Sequence, residues 1–179
     1  FDPKRTAGNE GSQVQYAIEK MGVKEVSAAA DNTAKAITLG SNFTALVKLP
    51  TKNSSSSSTS SSDEQLDEVL VIQGVDMSRE DYVDLKVFVN MPTADAKTPI
   101  YTAEYVGSTS IVPSPDAGKR LFTNVAMEVG DNLRRLGLDS DEYVVVTIVV
   151  DSFSGSPVTI RGIKIEYRST MCTAISSSA

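Results

Sequence analysis

The sequence predicts an all-β chain: an antiparallel, jelly-roll-like β-sandwich of six to seven strands, with one short α-helix and an N-terminal linker. Two stretches carry this prediction. From Val83 to Asn90, Val83, Leu85, Val87 and Val89 alternate with Asp84, Lys86, Phe88 and Asn90, the period of a strand with one wet face. From Tyr143 to Val150 the chain is a nearly continuous β-branched run, which suits a central buried strand.

Residues 1–36 have turn formers and little periodicity, and read as linker. Within them Val14, Ala17, Ile18 and Met21 fall at helical spacing, which allows a short helix from Gln13 to Met21. The sandwich is placed at 37–170, with a tail at 171–179. Its first strand region runs from Ala36 to Leu49 and is stopped by Pro50, which has no N–H for a ladder. Residues 51–67 form a Ser-rich stretch too polar to recover the entropy of ordering, read as a mobile loop. It is either a tolerated insertion or a protease-accessible processing loop at Ser54, Ser55, Ser56, Ser57, Ser58 and Thr59.

Val69 to Ile72 is the next strand, joined to Val83–Val89 by a polar turn from Asp76 to Asp81 that is too long for a two-residue hairpin. Ile100 to Val106 alternates as a strand, Gly107 to Gly118 reads as a loop, and Lys119 to Met127 as another strand. Val129, Leu133 and Leu136 form the stripe of a short helix. Asp131 near its start and Arg134 and Arg135 near its end suit the helix dipole, and Gly137 stops it. Val158 to Tyr167 closes the set as one alternating strand.

Net charge is −6, which argues against nucleic acid, since phosphate binding needs a basic field. No apolar run reaches membrane-spanning length, and no signal peptide is evident. The start at Phe1 without Met suggests a fragment of a longer precursor. One cysteine, Cys172, excludes an internal disulfide. Histidine is absent, which removes the commonest metal ligand and general base. No copper or zinc centre of imidazoles can be built from this chain. Carboxylates cluster at turns; Asp139, Asp141 and Glu142 could offer oxygen ligands to Ca²⁺, or could simply form a solvated turn. Asn42 to Thr44 and Asn53 to Ser55 fit the glycosylation pattern. The residues thus point to a binding or covering module. A free-standing sandwich binding carbohydrate or lipid is the alternative, and an enzyme using a Ser–Lys pair the least favoured reading.

The stretch Glu68 to Asn90 also resembles the opening of the C-terminal domain of plant polyphenol oxidases, the type-3 dicopper catechol oxidases and tyrosinases. The shared frame is Val69, Leu70, Val71, Ile72 and Gly74, then Asp81, Tyr82 and Val83, then Val87 to Asn90. The likeness returns at Tyr143–Val149 and Val158–Tyr167, and upstream at Ile37–Leu39 and Leu49–Pro50. The Lys-Phe-Asp-Val motif that names the domain is largely lost, the positions reading Asp84, Leu85, Lys86 and Val87.

The resemblance implies a domain that lies over the dicopper site of the preceding catalytic domain and keeps the enzyme latent until proteolysis. It implies a plastid location in the thylakoid lumen, and as partners the catalytic domain and a processing protease. No cofactor is implied for this chain, and no catalysis by it alone, although the parent resembles a copper-dependent o-diphenol oxidase or tyrosinase. It also implies a placeholder residue that enters the active-site mouth. Gly107, Ser108, Val112 and Pro113 match the family stretch, which puts Thr109 at the placeholder position with Ser108, Ser110, Ile111 and Val112 around it. Ile111 and Val112 could equally tuck onto the domain's own core.

Overall fold

A computed structural model describes residues 10–26, 35–51, 66–113, 120–152 and 155–169. Nine strands and two helices are found among them, in two antiparallel sheets packed face to face. The first sheet runs β2 (Asn42–Lys48), β7 (Tyr143–Ser152), β4 (Val83–Val89) and β5 (Tyr105–Ile111). The second runs β1 (Ile37–Leu39), β8 (Val158–Ile160), β3 (Leu66–Ser78) and β6 (Arg120–Glu128), with β9 (Gly162–Ser169) also paired to β3. The shared core takes Val83, Leu85, Val87, Val89, Val144, Val146 and Ile148 from one sheet and Leu70, Ile72, Val75 and Met77 from the other.

β7 is the central strand the sequence predicts, and the structure covers it twice. Val144, Val146 and Ile148 face the sandwich core, while Val145 and Val149 face outward and are as fully buried. The outer cover has two parts. Helix α1 (Glu10–Met21) sets Ala17 against Leu46 and Val145. The segment after β4 packs Ala94, Met91 and Tyr105 around Phe88 and Val149. Phe88, on the wet face by its sequence register, is therefore fully buried.

Residues 10–26, which fall in the span read as linker, are docked on the sandwich. After α1, the Val26 N–H donates to the Leu46 carbonyl at 2.9 Å and the Leu46 N–H to the Lys24 carbonyl at 3.1 Å. This short parallel pairing at Glu25 occupies the free edge of β2.

Four sequence readings need correction. The strands before and after Arg79–Tyr82 are not partners: β3 pairs with β6, β8 and β9, and β4 with β5 and β7, so the turn carries the chain from one sheet to the other. The strand expected at Ile100–Val106 and the loop expected at Gly107–Gly118 are exchanged. Residues 100–104 form turns, and Tyr105–Ile111 is the strand, a sheet edge that small polar residues can fill because only one neighbour packs against it. The single strand expected over Val158–Tyr167 is two. Val158 and Ile160 are buried before Arg161, Ile163 and Ile165 after it, so one residue at the break swaps the faces. Finally, α1 joins the expected helix α2 (Gly130–Leu136), whose Leu133 is fully buried and which ends at Gly137 in the left-handed region.

The second sheet turns on a bulge. Ile72 pairs with Val125 and Val75 with Thr123, so Gln73 and Gly74 together face Asn124. Gly74 has φ +60°, its N–H donates to Asn124 Oδ1 at 2.8 Å, and a Cβ there would lie 2.8 Å from Arg161 Cγ. That arginine packs its guanidinium 5.0 Å from the Phe122 ring. Gly74→Ala is expected to cost about 2 kcal/mol, since it adds a left-handed residue and a clash. The loss should appear as a lower urea midpoint at unchanged slope, and Gly74→Ala with Arg161→Ala should recover only the part due to the clash.

Candidate functional site

Two regions gather the residues singled out by sequence. The first is a cleft of about 520 Å³ at one end of the sandwich, lined by Lys48, Glu68, Asp139, Asp141, Glu142 and Tyr167 among others. Glu68 is 6 % exposed, accepts a hydrogen bond from Tyr167 Oη at 3.3 Å, and lies 3.9 Å from Arg134 Nη1. Glu142 pairs with Lys48 at 3.3 Å. Burial, and then the neighbouring Asp139, pushes the Asp141 carboxyl above its usual range. Burial, and then Glu68, likewise raises the Tyr167 phenol.

The carboxylates of this cleft do not converge. Among the described residues no three His, Cys, Asp or Glu side chains are grouped to hold a metal ion, so the calcium alternative at Asp139–Glu142 gains no support. Lys48, Lys86 and Lys164 each face a carboxylate, of Glu142, Asp84 and Glu166 respectively, rather than a serine. No helix among the described residues is long and apolar enough to cross a membrane.

The second region is the β5 edge. Cross-strand partners share a face, and Thr109 stands opposite Leu85 and Ile111 opposite Val83, both fully buried or nearly so. Thr109 and Ile111 therefore face the sandwich interior. They line a cleft of about 310 Å³ between β5 and β6, with Val125 and Met127 on its far wall. Ser108 and Ser110 point outward. Ser110 Oγ donates to Asp84 Oδ1 at 2.9 Å and accepts from Tyr82 Oη at 3.4 Å. Val112, just past the strand, is 67 % exposed. Ser54–Thr59 lie outside the described residues.

Sequence reasoning missed what holds the other end of β5. Asn132 on α2, 8 % exposed, donates to the carbonyls of Ala103 at 3.1 Å and Tyr105 at 2.8 Å. Arg135 adds a bond to the Ala103 carbonyl at 2.8 Å. This clamp fixes the turn that carries Ile100, 57 % exposed, and Tyr101, 87 % exposed. Its acceptors are main-chain carbonyls, which leave no signal in side-chain pattern.

Residues 35–167 match the family described as the chloroplastic polyphenol oxidase C-terminal domain. The chain belongs to this family. It is 34 % identical over 161 residues to a chloroplastic polyphenol oxidase of Malus domestica, covering 84 % of this chain and 25 % of that one. To the latent form of the Prunus armeniaca chloroplastic enzyme it is 35 % identical over 104 residues, 58 % of this chain and 17 % of the relative. Among solved structures, latent apple tyrosinase superimposes with a TM-score of 0.62 at 30 % identity, over 83 % of this chain and 30 % of that one. A latent aurone synthase gives 0.59 at 25 % identity, over 82 % and 27 %. This polyphenol oxidase domain thus spans about a quarter of the curated Malus relative's length.

The raised Asp141 yields a pH prediction. Its folded-state pKa lies above the unfolded one, so the charged carboxylate disfavours folding above both values, and that cost fades as pH falls through the raised pKa. Asp141→Asn is expected to raise Tm at pH 7, with the gain shrinking toward acid pH in parallel thermal melts of the two proteins.

Proposed function

We propose that this chain is the shielding domain of a plant polyphenol oxidase, covering the dicopper site of the catalytic domain and holding the enzyme latent until proteolysis. The family match carries this reading. Support comes from relatives and solved structures named as latent forms. The donor set agrees: a chain without histidine does not fit a type-3 copper centre, so the metal belongs to the catalytic domain and no step passes through this one. The chain's own contribution is shape and an apolar contact, without catalysis of its own. Plastid residence is supported by the chloroplastic names of its relatives, and the thylakoid lumen is part of the same proposal.

The covering segment is Ser108–Val112. Thr109 takes the placeholder position by the resemblance of Gly107, Ser108, Val112 and Pro113 to the family stretch, but its side chain faces the β5–β6 cleft, whereas Val112 is free to enter a neighbouring mouth. We assign Val112 as the tip and Thr109 as the residue that supports it from inside. Removal of the cover would follow a cut in the linker or at Ser54–Thr59.

Titrating the chain into protease-trimmed catalytic domain, while following catechol oxidation and complex formation together, tests the shielding role. Binding with falling activity is expected; binding at full activity would refute shielding. In the tethered latent enzyme, Val112→Ala should raise activity before proteolysis more than Thr109→Ala does. Equal latency in both variants would remove the segment from the mechanism and leave the family membership untouched.

A further inference from the structure

We infer that residues 10–26 are a clasp: α1 and the run after it stay bound to the sandwich when the chain is cut between Val26 and Lys35. The inference rests on the shielding reading for its consequence. A cut at 27–34 leaves the cover held, and only a cut ahead of Glu10 frees it.

The segment lies before the span shared with the family, 35–167, yet it is gripped in two ways. Ala17 is fully buried against Leu46 and Val145, with Val14, Val23 and Tyr143 packed around them. Gly22, at φ +63°, then turns the chain at the end of the helix. Its N–H donates to the Ile18 carbonyl at 3.2 Å, and the Val23 N–H to the Ala17 carbonyl at 3.0 Å. The turn lays Lys24–Val26 along β2, where the Leu46 carbonyl accepts from Val26 and the Leu46 N–H donates to Lys24. Leu46 is thus held by its side chain from α1 and by both main-chain groups from the run that follows.

None of these contacts needs the covalent link onward to β1. The fully buried contact is a small cluster apart from the main core. A cleft of about 500 Å³ separates Val23, Lys24 and Val26 from Ile37 and Phe43, so the segment is docked on the sandwich rather than built into it. Both sides gain from staying docked. A twelve-residue helix is marginal in water by itself. The sandwich without it exposes Val145 and the free edge of β2.

The position of the clasp gives it a regulatory consequence. The chain covers 25 % of the Malus relative and 30 % of latent apple tyrosinase, and its family is named as C-terminal, so a much larger body precedes the domain in those proteins. A cut at 27–34 leaves the clasp on that body, still seated on the cover. A cut at 1–9 leaves the clasp on the cover and nothing of it on the body. Two cuts in one connecting stretch therefore have opposite results.

The test places a specific protease recognition sequence in 27–34, and in a second variant in 1–9, of the full chain and of the parent enzyme. In the chain alone, after the 27–34 cut, the fragment carrying α1 should co-elute with the sandwich in size exclusion and keep the Leu46 and Val26 amides protected from exchange. Ala17→Glu puts a charge in a fully buried position, and Val26→Pro removes the N–H given to Leu46. Each should speed loss of the fragment at least about tenfold while the uncut chain keeps its strand signal in circular dichroism. Tyr16→Ser, on the exposed side of α1, should leave the loss rate unchanged. Separation of the unsubstituted fragments on cutting, or unchanged retention in both Ala17→Glu and Val26→Pro, would overturn the clasp. A dimer in sedimentation that Ala17→Glu dissociates would assign α1 to a second copy and overturn it as well. In the parent, low activity should survive the 27–34 cut and rise after the 1–9 cut. Full activity after the 27–34 cut, with the fragments still together, would overturn the role of the clasp in latency. Retention in the chain alone, beside a parent equally active before and after both cuts, would defeat shielding and leave the clasp standing.

Discussion

β7 has no wet face, and most of the architecture answers that constraint. A run from Val144 to Val149 that is wholly apolar or β-branched cannot leave one side in water without exposing Val145 and Val149, each worth about 1.5–3 kcal/mol when buried. The sandwich core takes one side. The other must be roofed, and a sheet only four strands wide supplies no second layer by itself. Helix α1 and the segment after β4 make that roof, and each has a further effect. The run from α1 onward closes the β2 edge, and the roof around Phe88 leads straight into the turn that begins β5. What is exposed on this domain is thus set by what its central strand requires.

The elements legible in the sequence were those whose signal is local. The alternation of Val83–Val89, the β-branched run of β7 and the capped stripe of α2 each encode one element with its burial, and the structure has all three. The failures share a cause. β5 reads as a loop because Gly107, Ser108 and Ser110 carry little strand signal, and pairing with β4 makes the segment a strand. The break at Arg161 is read through because alternation holds on both sides, although the apolar phase shifts from Val158 and Ile160 to Ile163 and Ile165. The helical spacing of Val14, Ala17, Ile18 and Met21 allows α1, but its docking through Ala17 on Leu46 and Val145 is a tertiary contact that spacing does not encode.

The candidate site was legible to a different degree. Sequence placed attention on Ser108–Val112 as a segment, but the orientation of each residue depends on register with β4, and a loop has none. Once the segment is a strand, alternate residues must point to opposite sides. Thr109 and Ile111 then go inward and Ser108 and Ser110 outward, while Val112 is the first residue released from pairing. The clamp from Asn132 escaped notice for a related reason: a buried amide spending both its hydrogens on distant carbonyls has the sequence appearance of any polar helix residue.

The pairing of β2 with β7 also fixes when this domain can come into being. Asn42 meets Val149 and Lys48 meets Tyr143, partners separated by roughly a hundred residues of chain, so the loop must close before the contact is rewarded. A polypeptide emerging from its N-terminus exposes β2 early and must wait for almost the entire sandwich before its neighbour arrives. α1, which seats on both strands, waits with it. Folding of such a unit is late and all-or-none, and any part of the chain that precedes it has the time to fold first.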